Sequence, residues 1–98
     1  MIEDTQGIIL RTIRYSESSL IVHWLTEEHG RISTMVRGAL RPKSDFRGKL
    51  DLFYLCQLSF QRSTRSTLHS LREINLKETF ERLRRDVEKI SQASYVAQ

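Results

Sequence analysis

Residues 19–40 read Ser19-Leu20-Ile21-Val22-His23-Trp24-Leu25-Thr26-Glu27-Glu28-His29-Gly30-Arg31-Ile32-Ser33-Thr34-Met35-Val36-Arg37-Gly38-Ala39-Leu40, two runs of period 2 around a turn. In the first run, Ser19 to Thr26, Leu20, Val22 and Trp24 alternate with Ile21, His23 and Leu25. Both faces are fairly apolar, which predicts a central or covered strand. Glu28-His29-Gly30 turns the chain, with glycine supplying a positive φ that a β-branched residue resists. In the second run, Arg31 to Leu40, Ile32, Thr34, Val36, Gly38 and Leu40 share one face, and Arg31, Ser33, Met35, Arg37 and Ala39 share the other. The alternation therefore predicts Arg31 and Arg37 on the side away from the core. Gly38 within such a run marks a bulge or sharp bend, as a closing barrel requires.

Further runs lie on either side. Gly7 to Arg14 places Ile8 and Leu10 on one face with Arg11 opposite. Arg41-Pro42-Lys43-Ser44-Asp45-Phe46-Arg47-Gly48-Lys49 is the main loop, since Pro42 has no N–H for a ladder and Gly48 ends the excursion. Leu50 to Phe60 is a long fourth run, with Leu50, Leu52, Tyr54, Cys56, Leu58 and Phe60 on one face. Gln61 to Ser66 turns the chain, and Thr67 to Ile74 is a weaker fifth run around Leu68 and Leu71. After Asn75 the spacing changes: Phe80, Leu83, Val87, Ile90 and Ala97 step by three and four, which predicts a helix. Its stripe, continued by Tyr95, Val96 and Ala97, is expected to pack on the barrel or on a second copy. The architecture is all-β with an appended α-helix. A five-stranded OB-type Greek-key barrel fits, and periodicity alone leaves an SH3-like barrel open.

Charge is segregated along the chain. Residues 31–65 hold eight Lys/Arg (Arg31, Arg37, Arg41, Lys43, Arg47, Lys49, Arg62, Arg65) against Asp45 and Asp51, a local +6 in a chain of net +4. The first 30 residues sum to −3 and residues 66–98 to +1. Such order suggests one face of a small β domain that meets a polyanion.

Other chemistry finds little footing. The single cysteine, Cys56, excludes an intramolecular disulfide, and its apolar run predicts a small buried hydrophobe. His23, His29 and His69 have no ligand spacing, so no metal is expected. Ser16, Ser18 and Ser19 form no nucleophile elbow, no Gly-rich phosphate cradle is present, and Glu27-Glu28 reads as a solvated turn. We expect no catalytic residue, no cofactor and no enzyme activity. The start, Met1-Ile2-Glu3-Asp4-Thr5-Gln6, lacks a basic and then apolar signal, and no run approaches the ~18 apolar residues of a membrane span. A cytosolic protein is expected.

Four segments carry a more specific signal: Gly7-Ile8-Ile9-Leu10-Arg11-Thr12, Tyr15-Ser16-Glu17-Ser18-Ser19-Leu20-Ile21-Val22, Thr26-Glu27-Glu28-His29-Gly30-Arg31-Ile32 and Val36-Arg37-Gly38-Ala39-Leu40-Arg41-Pro42-Lys43-Ser44. In this order, with Phe80, Leu83 and Asp86 opening the helix, the chain resembles the N-terminal region of the RecO recombination-mediator family. The resemblance implies an OB-fold nucleic-acid-binding domain over residues 1–76 and the start of a helical region over 77–98, truncated relative to the family. It also implies a bacterial, nucleoid-associated repair protein that binds single- and double-stranded DNA and anneals complementary strands. Such a protein acts with RecR and single-strand-binding protein to load RecA. The helical domain that docks the tail of single-strand-binding protein, often with a zinc site, has no counterpart in these residues. Zinc binding and tail docking are therefore not carried over.

An OB groove tracks phosphates with cations and stacks bases on aromatic rings. Arg31, Arg37, Arg41, Lys43, Arg47 and Lys49 are the expected DNA-binding cations, with Arg37, Arg41, Lys43 and Arg47 foremost. Phe46, in a polar loop, either stacks on a base or anchors the loop. Two other readings are a protein-interaction module docking RecR or another repair partner, and a general RNA- or single-strand-binding OB module; self-association through the C-terminal helix is a separate expectation.

Overall fold

A computed structural model describes residues 2–97, with side chains through residue 90. The period-2 runs become strands β1 (Ile2–Arg14), β2 (Leu20–Thr26), β3 (Gly30–Val36), β4 (Leu55–Gln61) and β5 (Leu68–Glu78), followed by helix α1 (Glu81–Ala97). They close into a barrel in the order β1-β2-β3-β5-β4. β1 makes closure possible because it serves two neighbours: Ile2 to Ile8 pair with β4, and Gly7 to Arg14 pair with β2. A register shift between Ile9 and Arg11 bends it between those duties. The final seam is short and parallel, joining only Ser33–Met35 of β3 to Leu68–Ser70 of β5. This five-stranded mixed barrel with a trailing helix is the expected OB-type architecture.

Alternation sends Val22 and Trp24 of β2, Thr34 and Val36 of β3, and Cys56, Leu58 and Phe60 of β4 inward. Trp24 is wholly buried, and its Nε1–H donates to Thr34 Oγ1 at 2.9 Å, so the indole leaves no orphan donor in the core. In β1 the inward set is Thr5, Gly7 and Ile9, while Ile8 and Leu10 are half-buried outside. Gly7 lets β1 approach closely: a Cβ there would lie 3.2 Å from both Leu58 Cδ2 and Thr26 Cγ2. Cys56 is buried as expected, and burial pushes its thiol up to about 11.

The third and fourth strands are shorter than their alternation suggested. β3 stops at Val36, because Gly38 takes φ +70° in a turn and not in a bulge. As a result Ala39 is buried and Leu40 exposed, the reverse of the faces predicted for them. β4 starts only at Leu55: Phe53, at φ +64°, redirects the chain, and its N–H donates to Ile9 O at 2.8 Å. Residues 37–54 between them are successive turns, with Arg41, Ser44, Arg47 and Lys49 each donating N–H to the carbonyl three residues back. Ala39, Phe46, Leu50 and Tyr54 seat this excursion on the core.

β5 runs past Ile74 to Glu78, whose carboxylate accepts the N–H groups of Thr79 and Phe80 before α1 begins. Through residue 90 the apolar stripe of α1 is largely uncovered: Leu83 is 54% and Ile90 68% exposed, while Val87 is half-buried. Its link to the barrel is Arg84, which reaches Asp51 Oδ2 at 2.6 Å and lies over Tyr54. The side chains of Tyr95, Val96 and Ala97 lie outside the described residues.

Candidate nucleic-acid interface

At the end of β3, Arg37 stands exposed between two adjoining hollows. One it shares with Arg41, Tyr15 and Ser18, and no carboxylate lines it. Arg41 reaches this position by lying across Gly38, where a Cβ would meet its Cδ at 3.5 Å. The other hollow brings Arg72 of β5 beside Arg37, with Phe46 and Met35 at its walls and Glu73 on its rim. Phe46 is half-buried against the core, so it anchors the excursion while its remaining surface touches three hollows. Arg47 joins from a third, carboxylate-free hollow lined by Leu20, Leu40 and Leu50. Lys43 is exposed on the excursion itself. Lys49 is half-buried beside Asp45, Arg72 and Glu73, where two acids offset two cations. Of these candidate cations, Arg37, Arg41 and Arg47 thus have the fewest carboxylates around them.

Arg31 sits elsewhere. It begins the outward row of β3, whereas Arg37 follows the strand's end at Val36, six residues or roughly 20 Å along. Arg31 lines a cleft of about 570 Å³ between the β2–β3 hairpin and the turn Arg62–Thr67. His23, His29, Arg62 and His69 also face this cleft, and no acid is among its lining residues. Arg62 is held from behind by Glu3, an ion pair that lowers the Glu3 pKa and raises that of Arg62. Phe60 packs between His29 and His69. His69 Nδ1 accepts the Ser63 N–H at 2.9 Å, which leaves the ring proton on Nε2 in the neutral form. Burial first, and the Arg62 charge second, depress the His69 pKa. Among the described residues, Arg31, Arg37, Arg41, Lys43, Arg47 and Lys49 make no ion pair, in contrast to Arg62.

A sequence model described as "Recombination protein O N terminal" matches residues 1–80. The chain belongs to this family. It is 40% identical over 92 residues to a protein named DNA repair protein RecO from Rhodopirellula baltica, covering 94% of this chain and 34% of that protein. A protein of the same name from Halalkalibacterium halodurans is 36% identical over 96 residues, covering 98% of this chain and 37% of its own. A third, from Salinibacter ruber, is 39% identical over 80 residues. The chain thus spans about a third of the length of the curated relatives it matches.

The structure groups Arg37, Arg41 and Arg47 around the barrel end, with Lys43 on the adjoining turns, and separates Arg31 from them along the strand. It adds two arginines that were not among the candidates. Arg72 arrives through the parallel seam, a pairing between distant segments that no local pattern announces. Arg62 enters through a segment that reads as an ordinary turn. Its position in the β4–β5 loop was the available signal, since that loop and the β2–β3 face bind oligonucleotides in OB barrels.

Proposed function

We propose that this chain is the DNA-binding barrel of a RecO-like recombinational repair mediator. It grips single- and double-stranded DNA by the phosphate backbone and supports strand annealing and RecA loading. A strand lies along the outward row of β3 from Arg31 towards Arg37 and continues over the excursion past Arg41, Lys43 and Arg47. The observation that carries this reading is a set of cations without ion-pair partners, Arg37, Arg41 and Arg47 lining surroundings with few or no carboxylates. Phosphate contacts of this kind position a strand without reading its sequence. With Trp24 buried and Phe46 half committed to the core, Tyr15, exposed in the hollow of Arg37 and Arg41, is the aromatic face nearest these cations, and phosphate contacts and stacking alike are sequence-tolerant. RecR, single-strand-binding protein and RecA are the partners the reading implies, in the bacterial cytosol at the nucleoid. No helix among the described residues is long and apolar enough to cross a membrane.

The test is the variant Arg37→Ala/Arg41→Ala/Lys43→Ala/Arg47→Ala in fluorescence-anisotropy titration of labelled single-stranded and duplex DNA. Affinity is expected to fall at least about tenfold for both, with RecR binding retained. The exposed Leu83 and Ile90 of α1 favour a second reading, in which the domain chiefly docks a protein partner. Unchanged DNA affinity in that variant, with RecR binding lost in Leu83→Glu/Ile90→Glu, would select that reading.

A further inference from the structure

Given the DNA-binding reading above, on which the inference rests, we infer that the cleft between the β2–β3 hairpin and the Arg62–Thr67 turn receives the phosphorylated end of a DNA strand. Two arginines, three histidines and the hydroxyls of the turn line it, and the nearby carboxylate of Glu3, 3.6 Å from His29 Nε2, is taken up by Arg62. The two arginines differ in kind. Arg62 is fixed by Glu3, so its position costs little ordering on binding, whereas the Arg31 side chain makes no hydrogen bond or ion pair among the described residues. A terminal phosphate monoester carries about −1.5 to −2 charges against −1 for an internal diester. A cleft that offers two guanidinium groups, Arg31 unpaired and Arg62 shared with Glu3, therefore favours the more highly charged end of a strand over its middle.

Further features point the same way. At about 570 Å³ the cleft has room for a nucleotide and is larger than a bare anion needs. The parallel seam with β5 begins only at Ser33, so the backbone of Gly30 to Ile32 has no β5 partner beside the cleft. The turn is already organised, because Ser63 Oγ accepts the N–H groups of Arg65 and Ser66, and Ser66 Oγ accepts that of Leu68. The Thr67 hydroxyl has no partner among the described residues and lines the cleft. Arg31 also begins the outward row that leads to Arg37, so a strand seated by its end in the cleft runs directly onto the backbone track.

The experiment compares internally labelled 12-nucleotide DNAs carrying a 5′-phosphate, a 3′-phosphate or hydroxyls at both ends. One phosphorylated DNA is expected to bind roughly tenfold tighter than the hydroxyl form, and inorganic phosphate should erase that preference before it displaces the strand. In Arg31→Gln/Thr67→Val, two exposed positions, the preference should vanish with the melting temperature unchanged. In Arg37→Ala/Arg41→Ala it should persist at lower overall affinity. Equal binding of all three DNAs, with affinity still dependent on Arg37 and Arg41, would overturn the cleft assignment and leave the backbone reading standing. A preference that survives Arg31→Gln/Thr67→Val would overturn it too. Failure of every DNA to bind would remove both.

Discussion

His69 is buried at one end of the barrel, stacked on Phe60 and tied to the Ser63 N–H, with Arg62 close by. Burial and that neighbouring charge hold its pKa below the ordinary histidine value. The unfolded chain therefore takes up the His69 proton more readily than the folded one. Its contribution to stability is complete above about pH 6.5 and is lost as pH falls through the depressed folded value. Glu3 acts in the same direction at lower pH, because the Arg62 hydrogen bond depresses its carboxyl. Melting temperature should thus decline from about pH 6.5 downward, and His69→Gln should flatten the first part of that decline. An identical profile in wild type and variant would show that His69 is not the group responsible. No sequence pattern marks this histidine, since its burial follows from β5 entering the barrel beside β4.

Among the elements, α1 is the least integrated. Arg84 links it to Asp51 and Tyr54, yet Leu83 and Ile90 face solvent while Val87 is half-buried. An amphipathic helix with an uncovered stripe gains free energy by burying it, at roughly 25 cal/mol per Å² of apolar area. Self-association through this stripe is the expected result in the isolated chain. Sizing chromatography over a concentration series should show a dimer that Leu83→Glu/Ile90→Glu returns to monomer. A monomer at every concentration would refute it. The helix and its stripe were legible from the spacing of Phe80, Leu83, Val87 and Ile90, because helical periodicity is local. That the stripe turns from the barrel was not, because it depends on where β5 ends in three dimensions. The ends of β3 and β4 are not legible in the alternation for a related reason: the apolar residues of 37–54 serve turns packed on the core, and their alternation continues past the ladder.

At the scale of the whole molecule, four or five side chains engaging single-strand phosphates should give log K against log salt a slope of about −3 to −4, with little preference among mixed sequences. Anisotropy titrations across salt concentrations measure it, and a slope near zero would remove the phosphate track. The chain alone determined that strands alternate, where the positive charge lies along it, that Arg31 and Arg37 share the outward side, and that a helix follows. Each of these depends on neighbours within a few residues. Only the closed barrel decided that Arg72 joins Arg37, that Arg31 instead faces Arg62 across a cleft, and that Lys49 is offset by Asp45 and Glu73. Those meetings join residues far apart in the chain through the β3–β5 seam and the loops beside it. Local alternation sets which way a side chain points, whereas pairing between distant strands sets what it meets there.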